Sequence, residues 1–151
     1  MEMPFDQETF QKRTTIDRLC TEPDFTNDKA INDVRVIERR IAEEDEINGH
    51  DCWWYISRIL RQPGINENNF PPDSYRYIGI GKADELAEGD LLVYYKLDKF
   101  RLVPEHIGIY RGNRIVHSKW GYCHVFEHGI FSVPTSYGFM ISVYREVIIG
   151  R

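Results

Sequence analysis

The stretch GHDCWWYISRIL, residues 49–60, places a single thiol where a polar turn gives way to an apolar run. Asp51 is a residue type that favours the N-cap of a helix, and this would put Cys52 in the first turn. The partial positive charge at a helix N-terminus lowers the pKa of a thiol, and the thiolate is the reactive nucleophile. The pattern therefore favours Cys52 as a catalytic nucleophile, with a small buried structural thiol as the alternative.

Two histidines in a downstream hairpin could supply the base that such a thiol needs. If residues 112–113 form a two-residue turn, Gly108 lies opposite His117 and His106 lies opposite Lys119. The two histidines are then diagonal neighbours on one face, Gly108 leaves room for their rings to meet, and the Lys119 charge extends into water. One imidazole would take the thiol proton, and the other would hold the first ring in the right orientation. A loop with an odd number of residues would separate the rings, and two incidental histidines are the other alternative.

Three short motifs follow one another along the chain. Asp51-Cys52 begins a predicted helix, residues 88–95 read EGDLLVYY, and residues 106–117 read HIGIYRGNRIVH. They resemble, in the same order, the Asp-Cys nucleophile motif, the Gly-Asp-Leu strand and the His-Val-Gly-Ile-Tyr hairpin of NlpC/P60 cysteine peptidases, a papain-like family. The resemblance covers about residues 49–120 and extends more weakly through the last strands.

The resemblance implies a catalytic triad and a reaction. Cys52 would be the nucleophile, His106 the base and His117 the polar third member. The thiolate would attack an amide carbonyl, backbone N–H groups at the helix start would hold the oxyanion, and water would hydrolyse the thioester. A peptide or amide is the implied substrate, with cell-wall peptides the family default. Acyl transfer by the same site and a catalytically silent binding module are the alternatives.

The residues around the thiol depart from the family pattern. The family usually has Ser-Gly after Asp-Cys, whereas this chain has Trp53 and Trp54. Many members also have a tyrosine before the cysteine, whereas the first tyrosine of this chain, Tyr55, follows it. We therefore expect an unusual substrate pocket, with Asp51, Trp53, Trp54 and Trp120 as candidate cleft residues. Trp120 is the weakest candidate, because strand alternation turns it away from the histidine face.

The elements that position these residues are predicted to be helices in the first part of the chain and strands in the second part. Thr26 or Asn27 is predicted to cap a helix whose apolar residues at 31, 34, 37 and 41 recur at helical spacing and which ends at Asn48-Gly49. Residues 63–80 are predicted to form a loop. The predicted strands are residues 91–95, 106–110, 114–118, 123–127, 130–133 and 141–149.

This order predicts an α+β fold, and the resemblance implies that it is papain-like, with N-terminal helices packed on an antiparallel sheet or small barrel. We expect one domain over residues 1–151, composed of a helical extension over residues 1–48 and a catalytic core over residues 49–151.

Composition excludes several classes of function. The 151 residues carry a net charge of −5, and no basic patch of the kind that binds nucleic acid is present. No apolar run approaches the length of a membrane span, and no secretory signal is visible. We expect a cytoplasmic protein, or one exported without a cleavable signal peptide. The sequence does not indicate the oligomeric state.

The remaining candidate ligands have simpler explanations. Three cysteines make an odd count, so a disulfide framework is not expected, and Cys20 and Cys123 are interpreted as structural or incidental. No metal and no other cofactor is expected. A zinc site with His50, Cys52, His106 and His117 as its ligands is the alternative. His128, near a turn, is expected to be solvated.

Overall fold

Strands dominate the second half of the chain, where apolar runs such as residues 91–95 are bounded by turn residues. The computed structural model describes Arg13, Ile16, Asp17, residues 33–138 and residues 140–147. The strands are β1 (Val34–Glu38), β2 (Tyr75–Ile78), β3 (Leu91–Asp98), β4 (Arg101–Gly112), β5 (Ile115–Lys119), β6 (Val125–Gly129) and β7 (Met140–Glu146). The helices are α1 (Ala42–Asn48) and α2 (Cys52–Leu60), with short 3₁₀ turns at Ala83–Glu85 and Thr135–Tyr137.

The seven strands of the described residues form one antiparallel sheet. Their order across it is β1-β6-β5-β4-β3-β7-β2. Two helices and an antiparallel sheet confirm the predicted α+β class. Among the described residues, no helix has both the length and the apolar character needed to cross a bilayer.

The central strands are buried on both faces, because a separate apolar cluster packs on each side. The helix-side core joins α2 to one face of the sheet through Cys52, Trp53, Ile56, Leu91, Val93, Ile107 and Ile109. The far core covers the other face with Leu92, Tyr94, Tyr110, Val116, Trp120 and Phe126. A side chain as fully buried as Ile56 contributes about 2 kcal/mol, so the helix-side core holds α2 firmly against β4.

The predicted helix before residue 48 is wrong over part of its length. Val34–Glu38 is strand β1, paired with β6, and only Ala42–Asn48 is helical. Val34 and Val36 are more buried than Arg35 between them, which is the alternation of an edge strand. The predicted cap at Thr26 or Asn27 lies outside the described residues.

Three other boundaries differ from the predictions. The predicted loop over residues 63–80 contains β2, which pairs with β7. The strand predicted over 123–127 lies two residues later, and the strand predicted over 130–133 is replaced by a turn in which Ser132 N–H donates to Gly129 O. Pairing with a distant strand decides the first two boundaries, and local patterns do not report that pairing.

The predicted register of the histidine hairpin is also wrong. The turn residues are Asn113 and Arg114, both with positive φ, and not residues 112–113. A bulge then leaves Arg111 without a partner, so that Ile109 lies opposite His117. The net shift of one residue inverts the parity of the pairing.

The consequence is that His106 and His117 project from opposite faces of the sheet. Gly108 does not separate two imidazole rings. A Cβ atom at that position would lie 2.6 Å from a methyl carbon of Val116, so glycine there admits the packing of β5 against β4.

Lys119 does not extend into water, contrary to expectation. Its Nζ donates to Asp45 Oδ2 at 2.9 Å and also to the Cys123 carbonyl oxygen. The second oxygen of Asp45 lies 3.3 Å from His50 Nδ1. The side chains of Lys119 and Asp45 are only 3% and 7% exposed, so a buried ion pair ties α1 to the end of β5.

Candidate active site

Cys52 is the first residue of α2, and its neighbour Asp51 caps the helix as predicted. The Asp51 backbone is extended, and its Oδ1 accepts a hydrogen bond from Trp54 N–H at 3.0 Å. The Tyr55 N–H donates to the Asp51 carbonyl oxygen at 3.1 Å and closes the first turn. The cap therefore fixes the direction in which the Cys52 side chain leaves the helix.

The thiol is buried and neutral. Burial raises the pKa of Cys52 to about 12, and the adjacent Asp51 carboxylate acts in the same direction. Hydrogen bonds from the backbone N–H groups of Ile107, Trp53 and Cys52 itself oppose this effect without reversing it. The expectation of a lowered thiol pKa is therefore wrong for the protein without a substrate, and the thiol needs a base to lose its proton.

A cleft of about 930 Å³ opens over the first turn of α2. Its walls include Asp51, Trp53 and Trp54 on one side and Glu105 and Tyr137 on the other. The apolar and charged groups around this opening could hold an extended polar chain such as a peptide.

The two tryptophans after the thiol are held in place by other side chains. Trp54 stacks on His50 with 4.0 Å between ring centroids, and the Arg58 guanidinium lies 4.7 Å above the Trp54 ring. Trp53 packs edge-on against Phe70 at 5.7 Å. They form a rigid wall of the cleft.

Trp120 lies apart from this wall, inside the far core. Its ring is buried and stacks on Phe126 with 3.9 Å between centroids. It is absent from the lining of the cleft, so the suggestion that Trp120 contacts a substrate does not fit the structure. Trp120 continues the alternation of β5, because Val116 and Ser118 also face the far core.

His106 lies on β4 and its ring is completely buried on the far-core face of the sheet with its cross-strand partner Tyr94, whereas Cys52 belongs to the helix-side core. The ring stacks on Tyr137 with 4.1 Å between centroids and an interplanar angle of 3°, and it lies 5.4 Å from Tyr94. Neither ring nitrogen has a hydrogen-bond partner among the described residues. Burial holds the pKa of His106 well below its ordinary value, and the neighbouring His128 lowers it further, so the imidazole is neutral and able to accept a proton.

Backbone geometry brings Cys52 and His106 close together without joining them. The Ile107 N–H that is hydrogen-bonded to the thiol belongs to the peptide unit immediately after His106. No hydrogen bond connects the thiol to the His106 ring, because neither ring nitrogen has a partner. In this resting arrangement the thiol and the imidazole are both neutral, and the backbone of β4 lies between them.

Tyr137 is a site residue that the sequence analysis missed. It lines the cleft and covers one face of the His106 ring. Arg13 anchors the segment that carries it, donating from Nε to the Val133 carbonyl at 2.9 Å and from Nη2 to the Pro134 carbonyl at 2.7 Å. Tyr137 reaches the site through these distant contacts, which leave no local signal in the sequence.

His117 does not reach His106. Its Nε2 lies 2.9 Å from Glu127 Oε2, and Glu127 also accepts from Arg35 at 2.9 Å. The hydrogen bond with His117 lowers the pKa of Glu127. The predicted role of His117 in orienting His106 is therefore not supported by its position.

His128 is buried rather than solvated. Its Nδ1 lies 2.7 Å from the Gly129 carbonyl oxygen and its Nε2 lies 2.6 Å from Ser118 Oγ, which also accepts from Trp120 Nε1 at 3.2 Å. Because the carbonyl can only accept, the proton lies on Nδ1 and Nε2 accepts from Ser118. Burial lowers the pKa of His128 to about 4.

We expect acid to destabilise the fold through His128. Its pKa falls from 6.5 in the unfolded chain to about 4 in the folded protein, so the unfolded chain binds the proton first as pH falls. Stability is complete above the unfolded value and declines by about 3 kcal/mol through that window. The lowered pKa of His106 adds a change of the same sign. Urea unfolding at a series of pH values measures this loss.

Glutamine substitutions identify which histidine causes the loss of stability in acid. His128→Gln should flatten the dependence of unfolding free energy on pH, whatever it does to stability at neutral pH. His117→Gln, which changes a partly exposed ring, should leave the steep dependence in place. Equal slopes in both variants would show that His128 is not the group responsible.

Metal ligation finds no support among the described residues. No group of three or more His, Cys, Asp or Glu side chains there is arranged to hold an ion. Cys52 and Cys123 are both buried, and Cys20 lies outside the described part of the chain.

Comparison with known proteins supports the interpretation of the motifs. The model of the NlpC/P60 family matches residues 41–130, more than half of the chain, and this range includes Cys52 and His106. No curated protein and no solved structure matches the chain. The resemblance seen in the motifs is confirmed. The chain therefore belongs to the NlpC/P60 family, whose members are in general cysteine peptidases or amidases.

Proposed function

We propose that this protein is a papain-like cysteine peptidase or amidase in which Cys52 is the nucleophile and His106 is the base. One observation carries the proposal. The Cys52 thiol lies at the N-terminus of α2, on the wall of a cleft of about 930 Å³, against the peptide unit that follows His106. The thiol and a substrate-sized opening thus lie together, and the backbone of the residue proposed as the base adjoins the thiol.

In the proposed reaction, Cys52 Sγ bonds to the carbonyl carbon of an amide while His106 takes the thiol proton. The carbonyl oxygen becomes an oxyanion, and backbone N–H groups at the start of α2 stabilise it. The C–N bond then breaks, and His106 gives the proton to the leaving amine. Water hydrolyses the thioester and regenerates the thiol.

Activation requires a movement of His106. In the resting arrangement its ring stacks flat on Tyr137 and makes no hydrogen bond to the thiol. Because the ring lies on the far-core face of β4 with Tyr94, the backbone of β4 around residue 106 must shift before the ring can reach Sγ, and a substrate in the cleft would contact Tyr137 directly. Substrate binding is thus proposed to couple to the assembly of the catalytic pair.

Cell-wall peptides are the proposed substrate class, because family membership indicates peptide or peptidoglycan substrates. Trp53 and Trp54 occupy positions where small residues are typical, and both are fixed by packing. They narrow the cleft beside the nucleophile. We therefore propose a substrate with a slim, extended chain at the scissile bond.

The test is a substrate survey. Wild-type protein, Cys52→Ala and Cys123→Ala would each be incubated with purified muropeptides and with a general peptide mixture, and mass spectrometry would identify the products. Cys123 is a matched control, because it is a buried thiol in the far core. Cleavage by the wild type and Cys123→Ala but not by Cys52→Ala is the expected result. An added amine would appear in the product if the acyl group is transferred rather than hydrolysed.

A catalytically silent binding module is the second candidate. The observation that favours it is the buried thiol, whose pKa is raised to about 12 and which has no hydrogen bond to His106. In that case no substrate would yield a product that depends on Cys52, while muropeptides would still bind in the cleft. Isothermal calorimetry with Cys52→Ala would detect such binding.

A further inference from the structure

The hairpin between β3 and β4 extends beyond the sheet. Strand β3 pairs with β7 only over residues 91–95, and β4 pairs with β5 only from Ile109 onward. Residues 96–103, the 96–103 ribbon, pair only with each other among the described strands. This ribbon therefore projects as a two-stranded tip with solvent on both faces.

Apolar side chains are concentrated at this tip. Phe100, in the turn, is fully exposed, and Leu97 and Leu102 are 60% and 45% exposed. Leu97 and Leu102 are cross-strand partners, so they share one face of the ribbon. Isolated exposed apolar residues are ordinary on a protein surface, but three at one projecting tip mark an interaction site.

The same tip carries positive charge in an acidic protein. Lys96, Lys99 and Arg101 outnumber Asp98, the only acidic residue of the ribbon, whereas the whole chain has a net charge of −5. Asp98 is the cross-strand partner of Arg101, so these two charges lie together on the face opposite Leu97. The tip thus has apolar side chains on one face, and a net positive charge on the other face and at the turn.

We propose that the 96–103 ribbon docks the protein on an anionic lipid bilayer, with Phe100, Leu97 and Leu102 inserted at the headgroup boundary. Apolar side chains bordered by lysine and arginine are the combination that binds such an interface. A stable protein interface usually buries about 800 Å² on each partner, which is more than one hairpin tip offers. The projecting shape suits shallow insertion instead.

Docking would bring the cleft to the membrane. Pro104 follows the ribbon directly and lines the Cys52 cleft, and Glu105 beside it does the same. A bilayer bound at the tip would therefore lie next to the mouth of the cleft. The proposal concerns binding alone and does not depend on the hydrolytic function.

Vesicle binding by the full chain tests the proposal. The protein would be sedimented with phosphatidylcholine vesicles and with vesicles that also contain phosphatidylglycerol. We expect binding to the anionic vesicles that falls as salt concentration rises. Phe100→Ser and the double variant Lys99→Glu/Arg101→Glu should each reduce the partition coefficient by about tenfold or more.

Ile47→Ser is the matched control, because Ile47 is 74% exposed on α1 and belongs to no part of the ribbon. It should bind like the wild type. All the variants replace exposed side chains, so their thermal unfolding should match that of the wild type. The proposal is overturned if the ribbon variants bind as well as the control, if neutral vesicles bind equally well, or if the ribbon captures a protein partner while no vesicle binds.

Discussion

Replacing Cys52 by alanine should lower kcat/KM for the cleaved peptide by about 10⁴-fold or more, because the thioester route is lost. His106→Gln should cost about 10³-fold, since a positioned general base contributes this much to proton transfer. The double variant should be no slower than Cys52→Ala alone, because the two side chains act on the same step. Initial rates with the peptide identified by the substrate survey measure all three.

The control for this prediction is His117→Gln. His117 lies on the opposite face of the sheet from His106 and binds Glu127, so its loss should change kcat/KM by less than about threefold. A large loss at His117 with little loss at His106 would show that the hairpin adopts the other register during catalysis. Thermal unfolding of each variant would separate a catalytic loss from a folding defect.

The parts of the site that sequence predicts well depend on residues within one helical turn. Asp51 and Cys52 are such a case, because the cap residue Asp51 and the Trp54 N–H that donates to its side chain lie within four positions. The order of the helix and the strands after residue 50 follows from similarly local patterns. For this reason the approach of Cys52 to β4 could be anticipated from the motifs and their order.

The histidine pair shows where such reasoning ends. Its geometry depends on whether the hairpin contains an odd or even number of unpaired residues, and the bulge at Arg111 decides the parity. One residue moves His117 from the predicted face to the other. A bulge in an exposed hairpin leaves no signal in the sequence pattern, so the register of the two strands could not be derived from the pattern.

Contacts between residues far apart in the sequence explain the other predictions that were wrong or missing. Residues 34–38 fit helical spacing as well as strand alternation, and pairing with β6 far along the chain favours the strand. The ion pair of Lys119 with Asp45 joins positions 74 residues apart. Tyr137 reaches His106 through a segment anchored by Arg13. None of these contacts follows from residues nearby in the sequence.

Lys119→Met should lower the free energy of unfolding by about 3–5 kcal/mol. The substitution leaves the Asp45 carboxylate in a site where its side chain is only 7% exposed, without the ammonium group that compensates its burial. It also removes the donor to the Cys123 carbonyl oxygen. For a chain of this size, the midpoint of thermal unfolding should fall by about 10 °C, which calorimetry would measure directly.

An exposed ion pair gives the matched comparison. Arg114 and Asp84 form a pair at 3.1 Å whose side chains are 69% and 80% exposed, so Arg114→Met should cost less than about 1 kcal/mol. The double variant Lys119→Met/Asp45→Asn should lose less stability than the two single changes added together, because it removes both buried charges. If Lys119→Met costs no more than Arg114→Met, the Lys119–Asp45 pair does not hold α1 against β5.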